Sequence, residues 1–363
     1  MGKIGKEGFS CIKSAFSTSI PLCLLMPSSA LSSPLPNIDK SQISVKITLF
    51  FTSMVYKEVR MADTPNIAVI GGSGLRDIPG AKQVQVIGNF PTPYGNPSSP
   101  LYWMKYEDLS KETPEFLFLL RHGVGHTIPP HQINERANIF ALMNQKVDII
   151  LNFTAVGAIS NIPTKFKAGD FAIITKVLDQ TGPRTGKTFF QDGWVGHCPT
   201  EKISCPYVQN VFVEACEELG FRYHLDKSCV TIEGPHYYNE AELRMTGGCD
   251  LIGMTQIPFT KLAVESNTCI LVIAIVTDDV TENNIVTADL VEKRMKENKA
   301  RLAKLLKHMI GSVRMTVHAR DAKKTCINCV HKPNSIITDM QYWTDDHKKL
   351  FKLMFRRWKN QQK

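Results

Sequence analysis

Three features of the chain point to an α/β fold. From Asn66 onward, short apolar runs alternate with longer amphipathic ones, the order of strands and helices in such a domain. A run such as FLFLL (residues 116–120) is apolar throughout, as a buried strand is. Several runs then end abruptly in polar or glycine-rich residues, and open α/β sheets place their ligands at the carboxyl ends of strands.

Taken in order, the apolar runs predict strands at 67–70, 116–120, 149–153, 171–175, 230–232, 251–254 and 270–276. The first helix is expected at 133–144, after a loop stiffened by Pro129 and Pro130. A second spans 208–219. There Val208, Val211, Ala215 and Leu219 recur at helical spacing while Glu214, Glu217 and Glu218 take other faces. Residues 257–265 and the highly charged stretch 288–309 supply two more, and no internal repeat is present.

The chain has 363 residues, 43% of them hydrophobic, enough for one large domain or two small ones. Its formal charge of +9 sits at the ends: residues 1–60 and 317–363 are basic, and 61–316 are close to neutral. No nucleic-acid motif accompanies the basic ends, so a nucleic-acid partner is not expected. The apolar patch at 20–26 contains Pro21 and is far too short to span a bilayer, so a membrane role is not expected either. Lys3, Lys6 and Lys13 before that patch leave a targeting segment open. The ten cysteines follow no disulfide spacing and read as the reduced thiols of a cytoplasmic or nuclear protein; Cys326 and Cys329 lack the second pair a zinc site needs. The expected organisation is an N-terminal extension (1–60), a body (61–316) able to fold and work alone, and a basic C-terminal extension (317–363). Leu350, Leu353, Met354 and Trp358, interleaved with Lys349, Lys352, Arg356 and Arg357, form one amphipathic segment in that extension, suited to an acidic surface or to docking on the body.

The chemistry gathers after the strands. Ile70 leads to Gly71-Gly72-Ser73-Gly74, Leu120 to Arg121-His122-Gly123, Phe153 to Thr154-Ala155-Val156-Gly157, Ile232 to Glu233-Gly234-Pro235, Met254 to Thr255, and Val276 to Thr277-Asp278. One such terminus is ordinary turn chemistry; six in one domain make a ligand site. An Arg–His pair ending a buried strand is costly unless an anion pairs with it, and a forked guanidinium beside an imidazole suits phosphate. Taken alone, the same arginine could simply satisfy loop carbonyls. The glycine turn misses the dinucleotide spacing at Asp77 and lacks a Walker Gly-Lys-Ser/Thr. What remains is a tight turn, or one whose N–H groups and Ser73 hydroxyl cradle an oxyanion. His122, His126 and His131 are not expected to bind metal, because the glycines and prolines among them prevent the helix that would align their rings.

The segments IAVIGGSGL, TPYGNPS, LRHGVGHTIPPHQIN, FTAVGAI, AGDFAIITKVLDQT, TIEGP, IGMTQIP and IVTD, in that order between residues 66 and 310, resemble the trimeric purine nucleoside phosphorylases. The RHG-x-x-H-x-I-P-P-H stretch is similar to their methylthioadenosine-cleaving branch. The resemblance implies a single domain with a central mixed, twisted β-sheet flanked by helices. It also implies phosphorolysis: inorganic phosphate displaces adenine from C1' of S-methyl-5'-thioadenosine through an oxocarbenium-like state, giving 5-methylthioribose 1-phosphate for purine and methionine salvage. Phosphate is then a co-substrate, and no other cofactor and no metal is expected.

By the same resemblance, phosphate falls to Ser73, Arg121, His122, Thr154, the Ala155 N–H and Thr255. Met254 would underlie the ribose, and Tyr237 would lie beside base and sugar. Asp278 would read the purine and ease its departure. Ala288 would adjoin the 5' substituent. His197 would reach into a neighbouring subunit's site, implying a homotrimer. Tyr238 stands where 6-oxopurine enzymes carry Glu, which favours 6-aminopurines. Against the family pattern, Val280 replaces a second Asp, His236 an Arg and Glu135 a Tyr, and the segment 278–286 is short. Two other functions fit the residues: a broader phosphorylase acting on adenosine or inosine, and a nucleoside-binding relative without catalysis.

Overall fold

The computed structural model describes residues 66–88, 91–109, 113, 115–159, 166–182, 186–201, 203–279, 286–312, 315 and 335–356. The expected N-terminal extension lies outside them. Among the described residues nine strands form one sheet: β1 (Asn66–Gly71), β2 (Ala81–Ile87), β3 (Leu101–Tyr106), β4 (Phe116–Leu120), β5 (Val147–Ala158), β6 (Phe171–Gln180), β7 (Tyr223–Ile232), β8 (Leu251–Gly253) and β9 (Cys269–Asp279). Their order is β2-β3-β4-β1-β5-β8-β7-β6-β9. Parallel pairs (β1 with β4 and β5, β5 with β9, β7 with β6 and β8) mix with antiparallel ones (β3 with β2 and β4, β5 with β8, β6 with β9). Because β9 pairs with both β6 and β5, the strands β5, β8, β7, β6 and β9 close into a ring.

Helices α1 (Glu135–Asn144), α2 (Pro206–Leu219), α3 (Glu240–Arg244), α4 (Phe259–Glu265), α5 (Ala288–Gly311) and α6 (Asp345–Met354) flank the sheet. On one face α2 and α5 pack over Ile67, Val69, Leu151 and Ile273; on the other α1 and α4 cover Ala68, Ile70, Ile150 and Val272. Alternate residues of β1 therefore feed opposite cores, which is why its sequence is apolar without interruption. α1 starts at Glu135 rather than at 133 because the Asn134 side chain caps it, accepting from the Ala137 N–H. α2 opens on Pro206 and stops at Gly220, whose φ of 66° is left-handed.

The strands run further than their apolar stretches. Pairing of β1 with β5 stops at Asn152, but β9 continues alongside β5 to Ala158, so Thr154–Gly157 and Thr277–Asp278 lie in strands rather than in following loops. β2 and β3 lie outside the expected strands. β2 is the sheet's edge and is mostly exposed, so its sequence carries no apolar run.

The C-terminal stretch corrects the expected organisation. Residues 316–334 lie outside the described residues, but 335–356 are packed on the body. Leu350, Met354 and Phe355 enter the core beside Leu142, Met143 and Val147. Arg356 pairs with Asp148 at 2.6 Å, Trp343 and His347 pack on Trp194, and Ile336 bridges Gly196. Of the two readings of this amphipathic segment, docking is the one found: its apolar face covers surface that the body would otherwise expose. Among the described residues no helix is long and apolar enough to cross a membrane.

Candidate active site

A cavity of about 650 Å³, counting its open mouth, lies where β1, β4 and β8 end and β5 and β9 continue. Ser73, Arg121, His122, Thr154, Ala155, Tyr237, Met254, Thr255 and Asp278 all line it. His197 and Ala288 do not. The His197 N–H donates to the Ser335 carbonyl at 2.8 Å, on the loop that the C-terminal stretch clasps. Ala288 begins α5 and is exposed, and it is Val286 and Val291 on either side of it that form the wall. Their part was not legible, because an apolar residue lining a cavity reads in sequence like any core residue.

At one end the cavity is built around Arg121, whose side chain is fully buried. Its Nη1 donates to Asn152 Oδ1 at 2.7 Å and its Nη2 to the Phe153 carbonyl at 3.0 Å. Nε has no partner. The arginine thus anchors itself on β5 as the carbonyl-satisfying reading required, with donors to spare on the guanidinium. Gly72 is needed for this: a Cβ there would sit 2.1 Å from Nη2. The buried Glu135, in α1, lies nearby; burial holds its carboxyl above the usual range against the opposing pull of Arg121.

His122 Nδ1 lies 2.9 Å from the Ile128 carbonyl, which only accepts, so Nδ1 carries the hydrogen and Nε2 offers a lone pair. Burial, and next the Arg121 charge, push its pKa down to about 3, so the ring is neutral near pH 7. It packs against His126 at 4.3 Å between centroids, the rings tilted by 35°. Among the described residues no three of His, Cys, Asp and Glu gather as metal ligands would.

At the other end, Asp278 is held from two sides. Oδ1 accepts from Thr277 Oγ1 at 2.6 Å and Oδ2 from the Tyr238 hydroxyl at 3.1 Å. Gly157 makes room, since a Cβ there would meet Asp278 Oδ2 at 2.9 Å and the Tyr238 hydroxyl at 3.2 Å. Sequence reasoning had used Tyr238 as a marker of base preference and missed this hold on the carboxylate. Tyr237, half exposed at the mouth, has its pKa raised by burial and then by Asp278. The arrangement offers hydrogen-bond donors at one end, an oriented carboxylate at the other, and an apolar wall between.

Comparisons with known proteins place the chain among phosphorylases. S-methyl-5'-thioadenosine phosphorylases of Hyperthermus butylicus and Pyrococcus abyssi are 39% and 37% identical over 252 and 251 residues, covering 68% and 69% of this chain and 87% and 93% of those proteins. A probable 6-oxopurine nucleoside phosphorylase of Thermococcus kodakarensis is 36% identical over 241 residues, covering 63% of this chain and 85% of that protein. Among solved structures, a methylthioadenosine phosphorylase sourced from an antarctic soil metagenomic library superposes with a TM-score of 0.68 at 28% identity, covering 81% of this chain and 99% of that one. The Schistosoma mansoni methylthioadenosine phosphorylase in complex with adenine gives 0.62 at 28% identity, covering 71% and 96%. The sequence pattern of the phosphorylase superfamily matches residues 66–311, and the chain belongs to that superfamily.

Proposed function

We propose that this protein cleaves S-methyl-5'-thioadenosine by phosphorolysis. The observation that carries the reading is the single cavity that sets the donors of Arg121, Thr154 and Thr255 opposite Asp278. Phosphate sits against Ser73, Arg121, His122, Thr154, the Ala155 N–H and Thr255, and the nucleoside lies over Met254 with its base toward Asp278. The C1'–N9 bond breaks with its electron pair going to the purine, while a phosphate oxygen forms the new bond to C1' and the proton that hydrogenphosphate gives up ends on the adenine. The anion next to C1' stabilises the oxocarbenium character of the transition state. Neutral His122 accepts a hydrogen bond from a protonated phosphate oxygen through Nε2. The Asp278 carboxylate accepts from the 6-amino group, which suits adenine over a 6-oxopurine. Val286 and Val291 suit a methylthio group better than a hydroxyl.

Relatives 37–39% identical that are named for this activity support the same reading. We further infer a homotrimer in which His197, remote from its own cavity, completes a neighbour's, with phosphate as co-substrate and no other cofactor. The products then feed purine and methionine salvage. The buried free cysteines fit the reducing cytoplasm or nucleus.

The test is a substrate panel with and without phosphate. The expected result is phosphate-dependent release of adenine from methylthioadenosine, faster than release of base from adenosine or inosine. Preferred cleavage of inosine would replace this reading with the broader phosphorylase; binding of methylthioadenosine without turnover would replace it with a non-catalytic relative.

A further inference from the structure

Beneath the phosphate end of the cavity lies a chain of buried amides. Asn152 and Gln256 are both 0% exposed, Asn152 on β5 and Gln256 just after Thr255. Arg121 Nη1 reaches Asn152 Oδ1 at 2.7 Å, Asn152 Nδ2 reaches Gln256 Oε1 at 3.4 Å, and Gln256 Nε2 reaches Thr154 Oγ1 at 2.9 Å and Thr255 Oγ1 at 3.4 Å.

The direction of every bond in this chain follows from its first member. A guanidinium only donates, so the Asn152 atom facing it must be the oxygen. The Asn152 NH2 group is then turned toward Gln256, which must meet it with its own oxygen. That in turn aims the Gln256 NH2 group at the two threonine hydroxyls. A hydroxyl that accepts from an amide has one lone pair engaged and its hydrogen free to turn elsewhere. The firm end of the chain is the 2.9 Å bond from Gln256 to Thr154; the links from Asn152 to Gln256 and from Gln256 to Thr255, like the Thr154 hydroxyl's contacts to Thr255 Oγ1 and the Ala155 carbonyl, are 3.4 Å long and weaker.

We propose that Asn152 and Gln256 are positioning residues that transmit the fixed polarity of Arg121 to Thr154 and Thr255, presetting both hydroxyls as donors toward an anion in the cavity. This rests on the reading that phosphate occupies that end. The site is then specified for an acceptor-rich oxyanion before the ligand arrives, with less reorganisation on binding.

The inference separates polarity from shape. Gln256→Glu keeps the shape but reverses the polarity: a carboxylate accepts from both hydroxyls, turns their hydrogens inward and adds a negative charge. Gln256→Met removes the amide without reversing it. We expect inorganic phosphate, titrated calorimetrically into the full chain, to bind about tenfold more weakly to Gln256→Met, the loss of one hydrogen bond to a charged ligand. Gln256→Glu should weaken it further, by about a hundredfold. Adenine binding should stay within about twofold in both, confirming that each chain is folded. A merely structural role would order the variants the other way, the isosteric Glu being the milder. That order, or equal losses of phosphate and adenine affinity, would overturn the proposal. If Gln256→Met does not fold, the phosphate-against-adenine comparison between Gln256→Glu and wild type decides alone. Because binding is the readout, a wild type that binds phosphate but cleaves no methylthioadenosine would overturn the proposed function and leave this inference standing on its own result.

Discussion

Arg121 is the side chain on which the phosphate end depends, and two kinds of bond compete for its donors. Arg121→Ala should raise the phosphate requirement by the worth of a charge-assisted bond, about 1.5–3 kcal/mol. Steady-state kinetics at varied phosphate will measure it, and an unchanged phosphate KM would remove Arg121 from the site. Asp278→Asn should shift relative turnover from adenosine toward inosine, since an amide offers a donor where the carboxylate only accepts; an unmoved ratio would mean that another group reads the base. His122 makes a prediction about protons. Its pKa is about 3 in the folded chain and about 6.5 when unfolded. The ring's contribution to stability is therefore fully present above 6.5 and is lost as pH falls toward 3. A bound dianion raises the folded value, so below pH 7 His122 should recapture part of the proton that H2PO4− gives up when it binds as the dianion. Calorimetry in two buffers of different ionisation enthalpy measures the net exchange, and His122→Asn should shift it toward greater release.

At the scale of elements, α6 and its flanks belong to the fold. A chain shortened to residues 61–316 would uncover Trp194, Leu142 and Met143, and it should be insoluble or melt well below full length. An equally stable short chain would show that the clasp is ornamental. Within the docked segment, Phe355→Ala alone should cost about 3–5 kcal/mol, the range for emptying a buried aromatic site, as denaturant melts will measure. Glu265, at the end of α4, holds the 186–198 loop by accepting from Thr188 Oγ1 and the Phe189 N–H, both at 2.7 Å. Burial raises its pKa to about 7. The folded chain thus holds this proton more tightly than the unfolded one, and stability is lost as pH rises from about 4.5 through 7. Glu265→Gln should be more stable than wild type by a margin that grows over that window; a margin independent of pH would contradict the assignment.

These elements also mark how far the sequence could be read. Strand and helix positions in the central sheet were legible because both faces are covered and the runs are apolar. The extensions of β5 and β9 were not, since Thr154 and Asp278 are polar residues kept in strands only by the ladder between them. β2 was hidden by exposure. For the clasp of 335–356 the amphipathic pattern left docking and an acidic surface both open, and only packing against Leu142, Met143 and Asp148 chooses between them. Of the site, Arg121, His122 and Asp278 announced themselves as polar groups after apolar runs. Asn152 and Gln256 looked like incidental amides, because only distance reveals that one touches the other across 104 residues of chain.

For the whole molecule, the proposed trimer in which His197 completes a neighbour's cavity makes assembly a condition of activity. Sedimentation should find a trimer, and His197→Ala should impair turnover without lowering the melting temperature; an active monomer would reject the shared site. If phosphate and nucleoside meet in one cavity and react with each other, stoichiometry shows it: adenine released and inorganic phosphate consumed, followed together with methylthioadenosine in excess. One phosphate should be consumed for each adenine, with the sugar recovered as its 1-phosphate and no release when phosphate is withheld. Adenine released at the same rate without phosphate, with free methylthioribose as the second product, would contradict it.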